Sequence, residues 1–162
     1  MIRYVEGDIL QSKADAIAHG VAPNDDFHSG LALSIREMWP ALYKDFRHYC
    51  RLEHPKAGGI WAWRGTNRQT VYSLMTQEAA YGQGAKPGKA SVENVRHALA
   101  ALAEESKKEG LKSVALPRLA TGVGGLDWSD VEPLVERYLG PSPTVFYVYK
   151  TFKKGVAAAE GA

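Results

Sequence analysis

The chain has 162 residues, 45% of them apolar and 23% charged, with a formal net charge of +2. That length holds one domain with a real core and is too short to argue for two. The composition excludes disorder and fibres, and so small a positive charge excludes a protein that grips duplex DNA by charge alone.

In chain order, the N-terminal run MIRYVEGDIL carries Glu6 and Asp8 where a signal peptide needs apolar residues, so residues 2–5 read as a strand. A second strand is predicted over 16–21 and helices over 31–38 and 40–52. The last of these holds Cys50, the only cysteine, so no internal disulfide and no cysteine metal cluster can form. Strands follow at 60–64 and 71–75. Val92, Val95, Leu99 and Leu102 recur at three and four residues, with Ser91 placed to cap and Lys107, Lys108 and Gly110 at the end, which predicts a helix over 91–109. A strand at 113–116, a helix at 129–139 capped by Asp127, and a strand at 144–149 complete the pattern. The remaining GVAAAEGA has no packing pattern and reads as a linker, so the expected division is one domain over 1–152 and a flexible tail over 153–162. No window approaches the roughly 20 apolar residues of a membrane span. A soluble, cytoplasmic monomer is expected.

Strands alternating with helices predict an α/β three-layer sandwich around a six-stranded, mixed but mostly parallel sheet. Ligands of such sheets bind beyond the carboxyl ends of the strands. The stretch LPRLATGVGGLDW, residues 116–128, occupies such a place. Gly122, Gly124 and Gly125 allow positive φ and leave no Cβ in the way, so several backbone N–H groups can face one anion, a diphosphate above all. The pattern matches neither the P-loop nor the dinucleotide fingerprint, and alone it is more often a mere tight turn. Two further segments raise its weight. In EGDIL, Asp8 is an acceptor beside Ile9 and Leu10, fit for an adenine amino group, although a turn or helix cap explains it equally well. In AHGVAPNDDFHSGLAL, Gly20 and Gly30 let backbone pass close to a sugar or phosphate.

These segments, in this order, resemble the macrodomain family of ADP-ribose-binding α/β modules. The matching residues are the GDI of Gly7 to Ile9, the AHGV of Ala18 to Val21, the GLA of Gly30 to Ala32 and the PRLATGVGGLDW of Pro117 to Trp128. The segment VYSLMTQEAAYG is similar to the DarG-type antitoxin macrodomains, which release ADP-ribose from thymine in single-stranded DNA. The resemblance implies that Asp8 accepts from the adenine amine and Ile9 lines its ring, with Tyr149 or Phe152 facing it. Val21 and the turn of Gly30, Leu31 and Ala32 border the distal ribose, with Gly20 and Thr76 beside them. Ala120, Thr121, Gly122, Val123, Gly124, Gly125 and Leu126 wrap the diphosphate. It implies ADP-ribosylated single-stranded DNA as substrate, ADP-ribose as product with no cofactor and no metal, and a DarT-like toxin engaged through a domain outside this chain.

In catalysis the chain departs from its relatives. Ala22 stands where many macrodomain hydrolases have asparagine, Ala80 is aligned with the catalytic lysine of the DarG-type members, and Gly124 with their acidic partner. Three explanations stay open: a deliberate lysine-to-alanine change that traps ligand and inactivates this form, a natural binding module, or an amine from Lys86 or Lys89; protein-linked ADP-ribose is the alternative substrate, since it would use the same pocket. On the first, Ala80→Lys restores release. The run from Asn24 to His28 resembles a metal site only superficially and reads as an exposed polar loop. His48, His54 and His97 read as surface or packing residues, and Trp39, Trp61, Trp63 and Trp128 as core or loop anchors. Arg64, Arg68, Lys86 and Lys89 are expected in loops beside the site, within reach of a strand's phosphates.

Overall fold

A computed structural model describes residues 1–66 and 69–161. Every predicted strand and helix is present in it. The elements are β1 (Ile2–Gly7), β2 (Ala16–Val21), α1 (Gly30–Met38), α2 (Pro40–Glu53), β3 (Ile60–Arg64), β4 (Thr70–Met75), α3 (Val92–Lys108), β5 (Ser113–Pro117), α4 (Trp128–Leu139) and β6 (Val145–Phe152), with a 3-10 turn at Ile9–Gln11. The strands form one sheet in the order β1-β6-β5-β2-β4-β3. All neighbours run parallel except β3 and β4. This is the mixed, mostly parallel sheet that the sequence predicts.

Alternation along each strand divides the core between two faces of the sheet. Tyr72 and Leu74 point to one side, where Val95, Leu99, Leu102, Val131 and Val135 of α3 and α4 cover them. Val71 and Met75 point to the other and meet Ile35, Leu42 and Phe46 of α1 and α2. In β6, Phe146 and Val148 join the first side, while Tyr147 and Tyr149 pack with Val5 and Ile9 on the second. Three layers result.

Local signals work as expected at α3, where the Ser91 hydroxyl accepts from the Asn94 amide at 3.1 Å. Asp127 does occupy the N-cap position of α4, yet its side chain makes no capping bond. The last strand runs past the expected 149 to Phe152, because β1 continues beside it and pairs Glu6 with Thr151 and Gly7 with Phe152. Lys150, Thr151 and Phe152 are exposed, so nothing in their polarity marks them as strand.

Parallel pairing has a functional consequence. The carboxyl ends of β1, β2, β4, β5 and β6 lie along one edge, and the segments that follow them meet there.

Candidate functional site

At that edge two cavities, of about 390 Å³ and 520 Å³, both include Gly30, Leu31 and Pro117 in their walls and so form one cleft. Asp8, Ile9 and Tyr149 line the larger, together with Phe152 and Lys154. Gly20, Ala32, Ala120, Gly122, Val123 and Gly124 line the smaller. The segments singled out in the sequence therefore do converge.

Asp8 ends β1 and starts the 3-10 turn. Its Oδ1 accepts from the Leu10 amide at 3.0 Å and its Oδ2 from the Gly155 amide at 3.0 Å. The capping role and the position in the cleft are thus both real. Gly155 belongs to the stretch expected to be a flexible tail without packing. Instead this stretch returns to β1: the Asp8 amide donates to Val156 O at 2.7 Å, and the Glu160 carboxylate accepts from the Ser12 hydroxyl, the Lys13 amide and the Tyr149 hydroxyl. Small residues hid this contact in the sequence, because the bonds are made by backbone and one carboxylate rather than by apolar side chains.

The segment after β2 is not the exposed polar loop that its composition suggests. Phe27 is fully buried and touches His19, Tyr43 and Phe46. Asp25 is buried too, its two oxygens accepting from the Ala22 amide at 2.9 Å and the Phe27 amide at 2.8 Å. Those bonds make burial of a carboxylate tolerable, and burial raises its pKa. Among the described residues no group of three or more His, Cys, Asp or Glu could hold a metal ion.

His19 lies beneath this loop with Nε2 at 2.8 Å from Ser73 Oγ. Complete burial pulls its pKa from 6.5 down to about 3, so the ring is neutral. A depressed folded pKa means stability that is complete above the unfolded value and drains away as pH falls. Between pH 7 and pH 4.5, His19→Gln is therefore expected to lose about 2 to 3 kcal/mol less stability than the parent. Urea unfolding at both pH values measures this, and equal losses refute it.

The loop after β5 also has an unusual backbone. Ala120 sits at φ +65°, a region alanine rarely adopts, and Gly125 at φ +77°. Of the three glycines, only Gly125 uses positive φ. Gly124 is required for a different reason: a Cβ there would lie 2.7 Å from Ala120 O and 3.0 Å from the Ala90 Cβ. At Gly122 a Cβ would meet nothing within 4 Å. The loop is closed by the Leu126 amide donating to Ala120 O at 2.9 Å and the Gly125 amide to Gly122 O at 3.0 Å, and it is tied to the β4–α3 segment by the Ala90 amide donating to Gly124 O at 2.9 Å. Among the described residues, the amides of Ala120, Thr121, Gly122, Val123 and Gly124 donate to nothing. Ala120, Gly122, Val123 and Gly124 line the smaller cavity, and free donors there suit an anion.

Several expected residues do not line the cleft. Val21 is fully buried in the core under α1 and α2, since alternation along β2 turns it inward. Thr76 is fully buried behind Gly20, whose added Cβ would meet Thr76 Oγ1 at 3.0 Å. Thr121 turns its hydroxyl to Arg118 O at 2.8 Å, and Leu126 packs on the α3 and α4 core. Ala80 is buried away from both cavities, with its amide donating to Pro23 O and its carbonyl accepting from Asn24 Nδ2. Arg64 is at the wrong end of the molecule: because β3 is antiparallel to β4, it pairs with Thr70 at the start of that strand and approaches Glu109 at 3.5 Å. Arg68 lies outside the described residues. Lys86 does line the smaller cavity, and Lys89 does not.

Sequence reasoning overlooked Gln77, Asp25 and Arg118 in the same wall. Gln77 follows β4 and donates from Nε2 to Gly88 O at 2.9 Å, which shapes the Lys86 segment. Only its place directly after a strand end could have indicated it.

Residues 14–135 match the family model described as Macro domain. A DNA ADP-ribosyl transferase-DNA ADP-ribosyl glycohydrolase fusion protein of Thermosipho africanus is 25% identical over 96% of this chain and 43% of its own length, so the chain spans less than half of that relative. The macrodomain of Thermus aquaticus DarG superposes with a TM-score of 0.80 at 23% identity, over 93% of this chain and 98% of that one. Thermosipho africanus DarTG in complex with ADP-ribose gives 0.77 at 25% identity, over 91% of this chain and 41% of that one. With the matched region covering most of the sheet and helices, the chain belongs to the macrodomain family.

Proposed function

We propose that the cleft binds ADP-ribose along its length. The adenine lies at the Asp8 end, between Ile9 and Tyr149, with the carboxylate accepting from its amino group. The diphosphate takes the free amides of the loop after β5, and the distal ribose reaches Gly20 and the turn of Gly30, Leu31 and Ala32. The observation that carries this reading is the set of five undonated amides from Ala120 to Gly124. An anion satisfies them, whereas a neutral ligand leaves most of their potential unused.

The glycohydrolase relatives support a reaction as well: hydrolysis of the bond between ADP-ribose and thymine in single-stranded DNA. In that reading the protein is a cytoplasmic antitoxin domain of the DarG type, opposing a DarT-like toxin through a further domain, and it needs no cofactor. Ala80 carries no amine, so in this chain the nucleophile falls to Lys86: its neutral amine attacks the anomeric carbon as the thymine departs, and water then releases the ADP-ribose. Lys86 lines the distal cavity, and this favours it. Lys86→Ala is then expected to lower release of ADP-ribose from a modified oligonucleotide about 100-fold, with ADP-ribose affinity changed only a few-fold. Undiminished release by Lys86→Ala, together with a gain in Ala80→Lys, would return the amine to position 80. A chain that binds ADP-ribose tightly and releases none is a binding module.

A further inference from the structure

The stretch after β6 has no role in the proposed binding or reaction, yet it is fastened beside the adenine end of the cleft at both of its ends. The Lys153 amide donates to Gly7 O at 3.0 Å and the Asp8 amide to Val156 O at 2.7 Å. Gly155, at φ +72°, directs its amide to Asp8 Oδ2. Beyond it, Glu160 is held by the Tyr149 hydroxyl at 2.6 Å, the Ser12 hydroxyl at 2.8 Å and the Lys13 amide at 3.0 Å, and the Gly161 amide donates to the Tyr147 hydroxyl at 2.7 Å. Gly7 makes room for the crossing, since a Cβ there would lie 2.7 Å from Val156 O.

The strap does not fill the cavity. About 520 Å³ remains open beside Asp8, Tyr149 and Phe152, with Lys154 in its wall. What the strap does is fix groups. A carboxylate on a short side chain rotates unless both oxygens are held, and here the Leu10 amide holds one and the Gly155 amide the other. Each oxygen has a second lone pair free, so an exocyclic amine meets an acceptor already aimed. Tyr149 is fixed in the same way through its hydroxyl, leaving its ring as a rigid wall.

Resting on the ADP-ribose reading, we propose that Gly155 and Glu160 are positioning residues for adenine recognition, and that the strap sets the preference of the cleft for a 6-amino purine by orienting Asp8 and Tyr149.

The test is the preference between ADP-ribose and its inosine analogue, which presents a 6-oxygen to Asp8 in place of the amine. Affinities for both ligands are measured with the full chain, with Glu160→Ala, with a chain ended after Lys154, and with Asp8→Ala alone and combined with that shortening. The full chain should prefer ADP-ribose; shortening, which takes the Gly155 amide from Asp8, should cut the preference roughly tenfold, the loss of one charge-assisted hydrogen bond, and Glu160→Ala, which frees the far end of the strap, should cut it by less, each with little change for the inosine analogue. Shortening the Asp8→Ala protein should change nothing further. An unchanged preference, equal weakening of both ligands, or tighter ADP-ribose binding after shortening overturns the strap while leaving the ADP-ribose reading intact. A full chain that binds neither ligand overturns both.

Discussion

Gly124→Ala should weaken ADP-ribose binding about 100-fold in titration calorimetry, whereas Gly122→Ala should weaken it only a few-fold. The two glycines stand two residues apart in one loop, and both substitutions add a single methyl group. They differ in what the methyl meets: Ala120 O at 2.7 Å in one case and nothing within 4 Å in the other. The first contact is with backbone, so relief requires the loop itself to move. Ala120 is already held in the left-handed region and its carbonyl accepts from Leu126, so that motion breaks the closure that gathers the five amides. Losing two hydrogen bonds to a diphosphate costs about 3 kcal/mol, which is the predicted factor. Equal effects of the two substitutions would mean that the loop does not hold the ligand by its backbone.

Phe27→Ala is expected to cost about 3 to 5 kcal/mol in stability, with a fall in melting temperature of about 10 °C. Its ring is fully buried, edge-on to His19 at 5.5 Å and tilted against Phe46 at 5.1 Å and Tyr43 at 5.5 Å. Removing it opens a cavity under the loop after β2, where neighbouring rings on α2 cannot collapse without leaving the sheet. Because Asp25 fixes the Phe27 amide, the loop cannot slide to refill the space. Chemical denaturation measures the difference, and a cost under about 1 kcal/mol would show that the ring merely rests on the surface.

Much of the architecture was legible because hydrophobic alternation and the caps act locally. Helix α3 follows from Ser91, the spacing of Val95, Leu99 and Leu102, and the closing lysines. The place of the glycine-rich loop was legible too, since it follows a strand end and precedes a helix start. What escaped was everything decided by tertiary placement. The charged residues of 24–28 look solvated, yet Asp25 is buried because two amides reach it. Arg64 looks close to the site until the antiparallel direction of β3 carries it to the opposite end. Ala80 aligns with the lysine of the DarG-type members, yet the chain turns it toward Pro23 and Asn24 while Gln77 and Lys86 line the cavity. The tail carries no periodicity, so only the fold could reveal its bonds to Asp8 and Tyr149.

The central claim is that main-chain amides hold the diphosphate, and the backbone amide spectrum of the isotope-labelled protein tests it most directly. On titration with ADP-ribose, the amide signals of Ala120, Thr121, Gly122, Val123 and Gly124 should move together and further than those elsewhere, saturating at one equivalent. Saturable binding that leaves these five signals in place, with the large shifts at another face of the sheet, would contradict the account.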